Sequence, residues 1–261
     1  MQQGVIIDQG YENYTSQDHD TWRVLFERQA KLLLGRAAPE FVDGLDALGV
    51  DADGIPDFVK LSDRLEMQTG WRIVAVDGLI EDDVFFGMLA DRRFPVTHWI
   101  RKPEQLDYLQ EPDCFHDCFG HVPMLFNPVF ADYMAAYGRG GLKALGLGAL
   151  TNLARLYWYT VEFGLIRTGE GLRIYGAGIV SSKGESIYAL DDPAPNRLAF
   201  DLKRIMQTDY IIDHFQQTYF VIDSYDQLFD ATRPDFSPYY TELKGRPDIA
   251  PDRVLPDDQT I

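Results

Sequence analysis

One stretch decides the fold of this 261-residue chain: Glu111-Pro112-Asp113-Cys114-Phe115-His116-Asp117-Cys118-Phe119-Gly120-His121-Val122-Pro123. Pro112 suits the first position of a helix, because its missing N–H would be unpaired there, and Asp113 complements the positive helix end. Gly120 is typical of a helix terminus. The stretch therefore predicts a helix that begins near Pro112 and ends near Gly120.

Two histidines in this stretch are candidate metal ligands. His116 and His121 are five residues apart, which is an angular separation of about 140° on a regular helix, so a continuous helix would splay them. If the helix ends near Gly120, His121 can turn back toward His116. A lone histidine on an apolar helix is more often a hydrogen-bonded core residue, but two histidines within six residues, beside a glycine and flanking acids, favour a metal site.

The candidate third ligand is Glu162, on a second predicted helix. It would share a helix face with Trp158, four residues before, and Leu165, three residues after. A carboxylate in such apolar surroundings is costly unless it is paired or holds a metal ion. A buried salt bridge to Arg155 or Arg101 is the alternative. Two histidines and one carboxylate suit a mononuclear non-haem iron site, which leaves further positions on the metal open.

The two cysteines, Cys114 and Cys118, offer a rival interpretation. Four residues apart, they share one face of a helix, and with His116 or His121 they could form a structural zinc site. Zinc ligands more often have two intervening residues, and free cysteines are usually small buried hydrophobes. A core role is therefore favoured, and zinc stays an alternative.

Composition limits the possible classes of protein. Apolar residues make up 46% of the chain and aromatic residues 13%, which is ample for one well-buried core. No segment approaches the roughly 18 to 20 uninterrupted apolar residues of a membrane helix. Residues 1–20 are polar and acidic, so we expect no secretion or transit signal and a cytoplasmic location. A formal charge of −17 argues against partners such as nucleic acid or an anionic membrane.

Apolar periodicity predicts an α+β fold that is mostly helical, with small β-strands in a single catalytic domain. We expect a loose N-terminal leader over 1–20, the domain over 21–233, and a proline-rich tail over 234–261 that packs on the domain without regular structure or is partly disordered. Helices are predicted over 21–34, 39–48, 56–69, 82–90, from about 112, 128–137, 152–167 and 198–207. Strands or extended segments are predicted over 71–76, 94–101, 173–175, 187–190 and 215–221.

The glycines of Gly176-Ala177-Gly178 are not a dinucleotide-binding fingerprint. Ser181 occupies the position where that motif needs its third glycine, and no long helix with an acidic partner follows at the right distance. The segment is interpreted as a tight turn that carries Ser181 into the site.

Residue by residue, these stretches resemble the pterin-dependent aromatic amino acid hydroxylases and, within that family, the short bacterial phenylalanine 4-hydroxylases. The resemblance runs from about Trp22 to Tyr240. It is carried, in family order and spacing, by Trp99-Ile100-Arg101, Glu111-Pro112-Asp113, Phe119-Gly120-His121-Val122-Pro123, Tyr157-Trp158-Tyr159-Thr160-Val161-Glu162-Phe163-Gly164-Leu165 and Tyr175-Gly176-Ala177-Gly178-Ile179-Val180-Ser181-Ser182-Lys183-Gly184-Glu185.

The resemblance implies a role for each candidate site residue. Ferrous iron would be bound by His116, His121 and Glu162, with Tyr157 beside it. Arg101 would hold the amino acid carboxylate through its planar fork of donors. The rest of the substrate site would comprise Trp158, Phe163, Ser181, Glu185 and Pro95. The tetrahydropterin ring would stack on Phe85, with Val84, Leu79, Asp117 and Tyr157 nearby.

The activity implied is hydroxylation of L-phenylalanine to L-tyrosine with O₂ and a tetrahydropterin such as tetrahydrobiopterin at an Fe(II) site. Tryptophan or tyrosine as substrate, a zinc hydrolase or structural zinc protein, and a binding protein with an inert metal remain alternatives. Asp117 departs from the animal members, which have glutamate there, so a water is expected to bridge it to the pterin. The sequence shows neither the regulatory segment nor the tetramer-forming C-terminal helix of animal members, so we expect a monomer.

Overall fold

The computed structural model describes residues 5–107, 109 and 111–261. In that part of the chain, none of the helices is both long and apolar enough to cross a membrane. The α-helices are α1 (Ser16–Leu32), α2 (Pro39–Leu48), α3 (Phe58–Thr69), α4 (Asp82–Ala90), α5 (Pro128–Leu147), α6 (Leu150–Tyr157), α7 (Ala177–Val180), α8 (Lys183–Asp191), α9 (Leu202–Gln207), α10 (Tyr225–Thr232) and α11 (Ser237–Leu243). The strands are β1 (Arg72–Val76), β2 (Arg93–Thr97), β3 (Leu165–Thr168), β4 (Gly171–Ile174), β5 (Asn196–Ala199) and β6 (Thr218–Ile222).

The strands form two small sheets. β1 and β2 are parallel, with Arg72 opposite Arg93 and Val76 opposite Thr97. The other sheet has the order β4-β3-β6-β5, with β3 antiparallel to β4 and parallel to β6. The prediction of a mostly helical α+β fold in a single domain is confirmed.

Aromatic packing holds the central histidine stretch in place. Phe119 is fully buried, and its ring stacks on Phe115 with the centroids 4.8 Å apart. Phe26 of α1 and Phe41 of α2 approach the ring of Phe119 edge-on, each with a centroid distance of 5.5 Å. At Gly44 of α2, an added Cβ would lie 2.2 Å from the carbonyl oxygen of Pro123, so only glycine allows this close approach. The segment after the second histidine is thus fixed against α2.

The described part of the leader, from residue 5 onward, and the C-terminal tail contain more regular structure than the sequence predicted, whereas residues 1–4 lie outside the described residues. The first helix begins at Ser16 instead of residue 21, because Thr15 and Asp18 form a reciprocal capping box. Within the tail, Ser237–Leu243 is helical, and Tyr240 and Leu243 are buried. The tail is thus regular over these residues, because apolar side chains at helical spacing find a surface to pack on.

Three further predictions of secondary structure were wrong. Residues 198 and 199, expected at the start of a helix over 198–207, lie in β5, and the helix α9 begins at Leu202. Residues 187–190 lie in helix α8 instead of a strand, because Ser182 caps the helix by accepting the N–H of Glu185. The helix predicted over 152–167 ends at Glu162, and Leu165 begins β3. Leu165 therefore does not share a helix face with Glu162.

Candidate active site

Two π-helical turns, His116–His121 and Trp158–Glu162, carry the three candidate metal ligands. Their hydrogen bonds run from residue i to i+5, as in the bond of 2.9 Å from the N–H of Phe163 to the carbonyl of Trp158. This wider turn brings residues that are five apart onto the same side of the helix. The prediction that Gly120 ends the helix was therefore wrong: the helix widens, and this brings His116 and His121 together.

The three ligand atoms converge. Nε2 of His121 lies 3.0 Å from Nε2 of His116 and 3.1 Å from Oε1 of Glu162. Nε2 of His116 lies 3.7 Å from Oε2 of Glu162, and all the ligand atoms lie within 4.8 Å of one another. Two imidazole nitrogens and one carboxylate on one side of a site are the donor set of mononuclear non-haem iron centres. The residues present therefore fit a ferrous ion.

A structural zinc site that includes Cys114 or Cys118 is not supported. Among the described residues, the group able to hold a metal is His116, His121 and Glu162, without a cysteine. Cys114 and Cys118 are fully buried in the core, with their sulfur atoms 3.8 Å apart. Burial raises the pKa of the Cys114 thiol, which disfavours the thiolate that zinc needs.

Ser181 sets the tautomer of His116. Its hydroxyl donates to the carbonyl of Ala177 at 2.7 Å and lies 3.0 Å from Nδ1 of His116. Since the hydroxyl proton is engaged, Ser181 accepts a hydrogen bond from Nδ1–H, which leaves the Nε2 lone pair free to bind a metal. Burial also lowers the pKa of His116 to about 4, so the imidazole is neutral near pH 7.

His121 and Glu162 form a buried ion pair. Burial opposes charge on each group, but their mutual attraction and hydrogen bond outweigh it, so the pKa of His121 is raised and that of Glu162 is lowered. A bound cation would take the place of the proton on His121. The alternative partners of Glu162 are engaged elsewhere, because Arg155 pairs with Asp248 at 2.8 Å and Arg101 pairs with another acid.

Two glycines allow the chain to pass close behind Glu162. An added Cβ at Gly176 would lie 2.4 Å from the carbonyl oxygen of Glu162, and one at Gly178 would lie 2.8 Å from the ring of Phe163. The backbone N–H of Gly178 donates to the Glu162 carboxylate, which helps to hold that carboxylate charged. The turn predicted here is the start of α7, and it carries Ser181 to the site.

The first of two cavities beside the triad, the Arg101 cavity, has a volume of about 440 Å³. Its lining includes Arg101, His116, Phe163, Ser181, Glu185 and Gln216. Nε and Nη2 of Arg101 each donate to Asp113 at 2.8 Å. One edge of the guanidinium fork expected to hold a substrate is therefore already occupied by Asp113, and a ligand would meet the remaining Nη1 side.

Glu185 and Trp158 support this cavity from behind. Oε1 of Glu185 accepts the N–H of Gln216 at 3.0 Å and the hydroxyl of Tyr219 at 2.7 Å. Burial raises the pKa of Glu185 to about 7, although these two bonds favour the charged form. Trp158 packs behind Phe163, with the ring centroids 4.8 Å apart.

The second cavity, the Phe85 cavity, has a volume of about 270 Å³. Its lining includes Leu79, Phe85, Pro95, Asp117, His121, Tyr157 and Glu162. Pro95 was expected beside the aromatic substrate, but it lies here because β2 runs along this cavity. Val84 is half-buried on α4 and is not among the described residues that line it. Oδ2 of Asp117 accepts the N–H of Thr97 at 2.7 Å, and burial raises the pKa of this carboxyl to about 7.

The triad lies between the two cavities. His116 lines the Arg101 cavity, whereas His121 and Glu162 line the Phe85 cavity. Pro112 lines both. The sequence did not reveal the roles of Thr97, Asp113 or Gln216, although a glutamine at the start of the apolar segment 215–221 was a signal of a buried polar contact.

Comparison with known proteins gives a consistent result. Residues 8–244 match the model of the biopterin-dependent aromatic amino acid hydroxylase family. The phenylalanine-4-hydroxylase of Chromobacterium violaceum is 65% identical over 254 residues, which cover 95% of this chain and 86% of that protein. A crystal structure of that enzyme with iron and phenylalanine has a TM-score of 0.95 at 60% identity, covering 98% of this chain and 94% of the other. A structure of it with iron(III) and oxidised 7,8-dihydrobiopterin has a TM-score of 0.95 at 62% identity, covering 98% and 93%.

Proposed function

Since the chain belongs to the biopterin-dependent aromatic amino acid hydroxylases, we propose that it hydroxylates L-phenylalanine to L-tyrosine with O₂ and a tetrahydropterin at Fe(II). The observation that carries this proposal is the convergence of His116, His121 and Glu162 between two cavities. A metal held there is open to an amino acid on one side and to a cofactor on the other. Two relatives that are 65% and 62% identical to this chain are named phenylalanine-4-hydroxylases.

The residues present would hold the metal and orient its partners. When bound, iron and tetrahydropterin supply the electrons and the activation of O₂ that the hydroxylation needs. His116, His121 and Glu162 would bind the iron from one side, and Ser181 keeps Nε2 of His116 unprotonated for that purpose. The triad lies at the inner ends of the two cavities, so a bound amino acid and a bound pterin would exclude bulk water from the reacting atoms.

The amino acid substrate is assigned to the Arg101 cavity. Its carboxylate would pair with the Nη1 side of Arg101, whose orientation Asp113 fixes. Phe163 and Ile212 supply apolar contacts for the aromatic ring. Because these apolar contacts offer a phenolic hydroxyl no hydrogen-bond partner, phenylalanine should be preferred over tyrosine.

The tetrahydropterin is assigned to the Phe85 cavity. Phe85 is half-buried there and contacts Tyr157 edge-on, with the ring centroids 5.9 Å apart. Asp117 uses Oδ2 for the N–H of Thr97, so Oδ1 is the oxygen that a pterin or a bridging water would meet. Leu79 is 80% exposed and would cover the cofactor at the cavity mouth.

The assembly and location proposed are a monomer in the cytoplasm. Three apolar residues of the tail, Tyr240, Leu243 and Ile249, are buried within the chain. Arg204 pairs with Asp258 at 2.9 Å and ties the tail to α9. Two unpaired cysteines fit a reducing compartment. Light scattering during size exclusion would give a mass of about 30 kDa for a monomer, and a tetramer would contradict the proposal.

The activity is tested with protein reconstituted anaerobically with Fe(II) and, as the matched control, with Zn²⁺. We expect the iron form alone to convert phenylalanine to tyrosine, and only when tetrahydropterin and O₂ are supplied. Tyrosine formation by the zinc form, or without pterin, would contradict the proposed reaction.

A further inference from the structure

Gln216 joins three walls of the Arg101 cavity. It lines that cavity, yet it is only 1% exposed. Its side-chain oxygen accepts the indole N–H of Trp158 at 2.9 Å, and its side-chain nitrogen donates to the carbonyl of Ile211 at 2.8 Å. Its backbone N–H donates to Glu185 at 3.0 Å. Both the oxygen and the nitrogen of this buried side-chain amide therefore bond to other parts of the protein.

The indole that Gln216 holds is packed between two aromatic rings. Trp158 stacks on Tyr210, with centroids 4.4 Å apart and planes inclined by 18°. On its other side it contacts Phe163, with centroids 4.8 Å apart. Phe163 lines the Arg101 cavity together with His116. A rotation of the indole would therefore displace the aromatic wall next to a metal ligand.

The bond to Ile211 fixes a second wall. Residues 212–215 are exposed, and all four line the cavity at its outer side. This segment is held at its start, where the hydroxyl of Tyr159 donates to the carbonyl of Asp209 at 2.6 Å. Gln216 holds its end by bonding back to Ile211. One amide thus sets both the segment and the position of the indole.

We propose that Gln216 is a positioning residue for phenylalanine hydroxylation: its amide fixes Trp158 behind Phe163 and fixes the segment 211–215, so that the substrate ring has one orientation toward the metal. This inference rests on the proposed function. Gln216 acts through its neighbours and takes no part in the chemistry. The role needs a donor and an acceptor in one side chain, which an amide provides.

The test compares the amount of tyrosine formed with the amount of tetrahydropterin oxidised. In the iron-loaded Gln216→Met protein, which keeps the side-chain length but loses both hydrogen-bonding groups, the substrate ring samples unreactive orientations. We expect the ratio of tyrosine to oxidised pterin to fall at least about twofold and the KM for phenylalanine to rise about five- to tenfold. The KM for the pterin should stay unchanged, because Gln216 does not line the Phe85 cavity.

Controls separate this role from a loss of folding. A smaller folded fraction lowers the rate but leaves the product ratio unchanged. Gln217→Met makes the same substitution at the exposed neighbouring residue and should behave as the native protein. Gln216→Glu, which keeps the acceptor for Trp158 and loses the donor to Ile211, serves as a second variant if Gln216→Met does not fold. Calorimetry of phenylalanine binding to the iron-loaded protein, without pterin and therefore without turnover, should show a loss of affinity of the same size as the rise in KM.

A double-mutant cycle with Trp158→Phe gives the final criterion. Because Gln216 acts partly through the indole, Gln216→Met should cause a smaller loss in the Trp158→Phe background than in the native protein, and the loss that remains comes from the freed segment 211–215. An unchanged ratio and KM in a folded Gln216 variant, or losses that simply add, would overturn the proposal. If the native protein forms no tyrosine at all, the proposed function fails and this inference fails with it, a result that the native protein alone reveals.

Discussion

The hydroxyl oxygen of Ser181 lies 3.0 Å from Nδ1 of His116 and directs its own proton to Ala177. This relationship fixes which nitrogen of His116 can bind a metal. It also links α7 to the π-helical turn that carries the histidines.

Removal of this hydroxyl should weaken metal binding. In Ser181→Ala, Nδ1 of His116 loses its acceptor, and the ring can rotate or change tautomer. We expect the affinity for Fe(II) to fall about ten- to a hundredfold, as is typical when a ligand's hydrogen-bond partner is removed. Competitive metal titration would measure this. Ser237→Ala, which removes a half-buried hydroxyl that donates to Asp235 at 2.9 Å, is the control, and equal affinities in the two variants would refute the role of Ser181.

Arg101→Lys should harm the enzyme more than its retained charge suggests. Lysine cannot reproduce the two parallel bonds to Asp113 and at the same time present a donor to the substrate. We expect the KM for phenylalanine to rise about ten- to a hundredfold, the cost of a lost charge-assisted hydrogen bond. Arg246→Lys, at an exposed pair, is the control. Steady-state kinetics showing an unchanged KM would place the substrate carboxylate elsewhere.

Glu185 should make stability depend on pH. Its pKa is raised from 4.5 to about 7 by burial, so the folded state holds the proton more tightly than the unfolded chain. The resulting stabilisation is complete below pH 4.5 and is lost as the pH rises through about 7. Glu185→Gln removes this dependence. When the pH is raised from 5 to 8, the unfolding free energy of the variant should therefore rise by about 2 to 3 kcal/mol relative to that of the native protein. Urea unfolding at both pH values measures it.

The control for this pH dependence is Glu170→Gln, since the side chain of Glu170 is 87% exposed. This variant should track the native protein at both pH values. A constant difference between Glu185→Gln and the native protein from pH 5 to pH 8 would show that Glu185 titrates normally.

The glycine behind Glu162 should tolerate no side chain. In Gly176→Ala, the new methyl group would meet the backbone of Glu162 at 2.4 Å, and backbone atoms yield only at a cost. We expect a loss of about 1 to 3 kcal/mol of unfolding free energy. Gly169→Ala, where no atom lies within 4 Å of the added carbon, should be neutral or slightly stabilising. Thermal unfolding compares them, and equal Tm values would contradict the close approach.

The sequence revealed the ligand types but not the turn that assembles them. His116 and His121 were predicted from their spacing beside Gly120 and flanking acids, and Glu162 from the cost of a carboxylate among apolar residues. The family resemblance supported all three. The π-helical turns were not predicted, because the same residues can also form an α-helix, and tertiary packing around Phe119 and Gly176 decides between the two. The position of Pro95 in the Phe85 cavity was not predicted either. It depends on the pairing of β2 with β1, which the sequence of one segment does not reveal.

The most direct measurement of the triad's role is tyrosine formed per bound iron in the native protein and in Glu162→Gln, which has nearly the same shape but no charge. The native protein should bind one Fe(II) per chain and form tyrosine from phenylalanine and tetrahydropterin. Glu162→Gln should lose tight iron binding and turnover while it keeps the fold, because three ligands are the minimum for this geometry. Stoichiometric iron and near-native tyrosine formation in Glu162→Gln would contradict the assignment of Glu162 as a charged ligand at the centre of the active site.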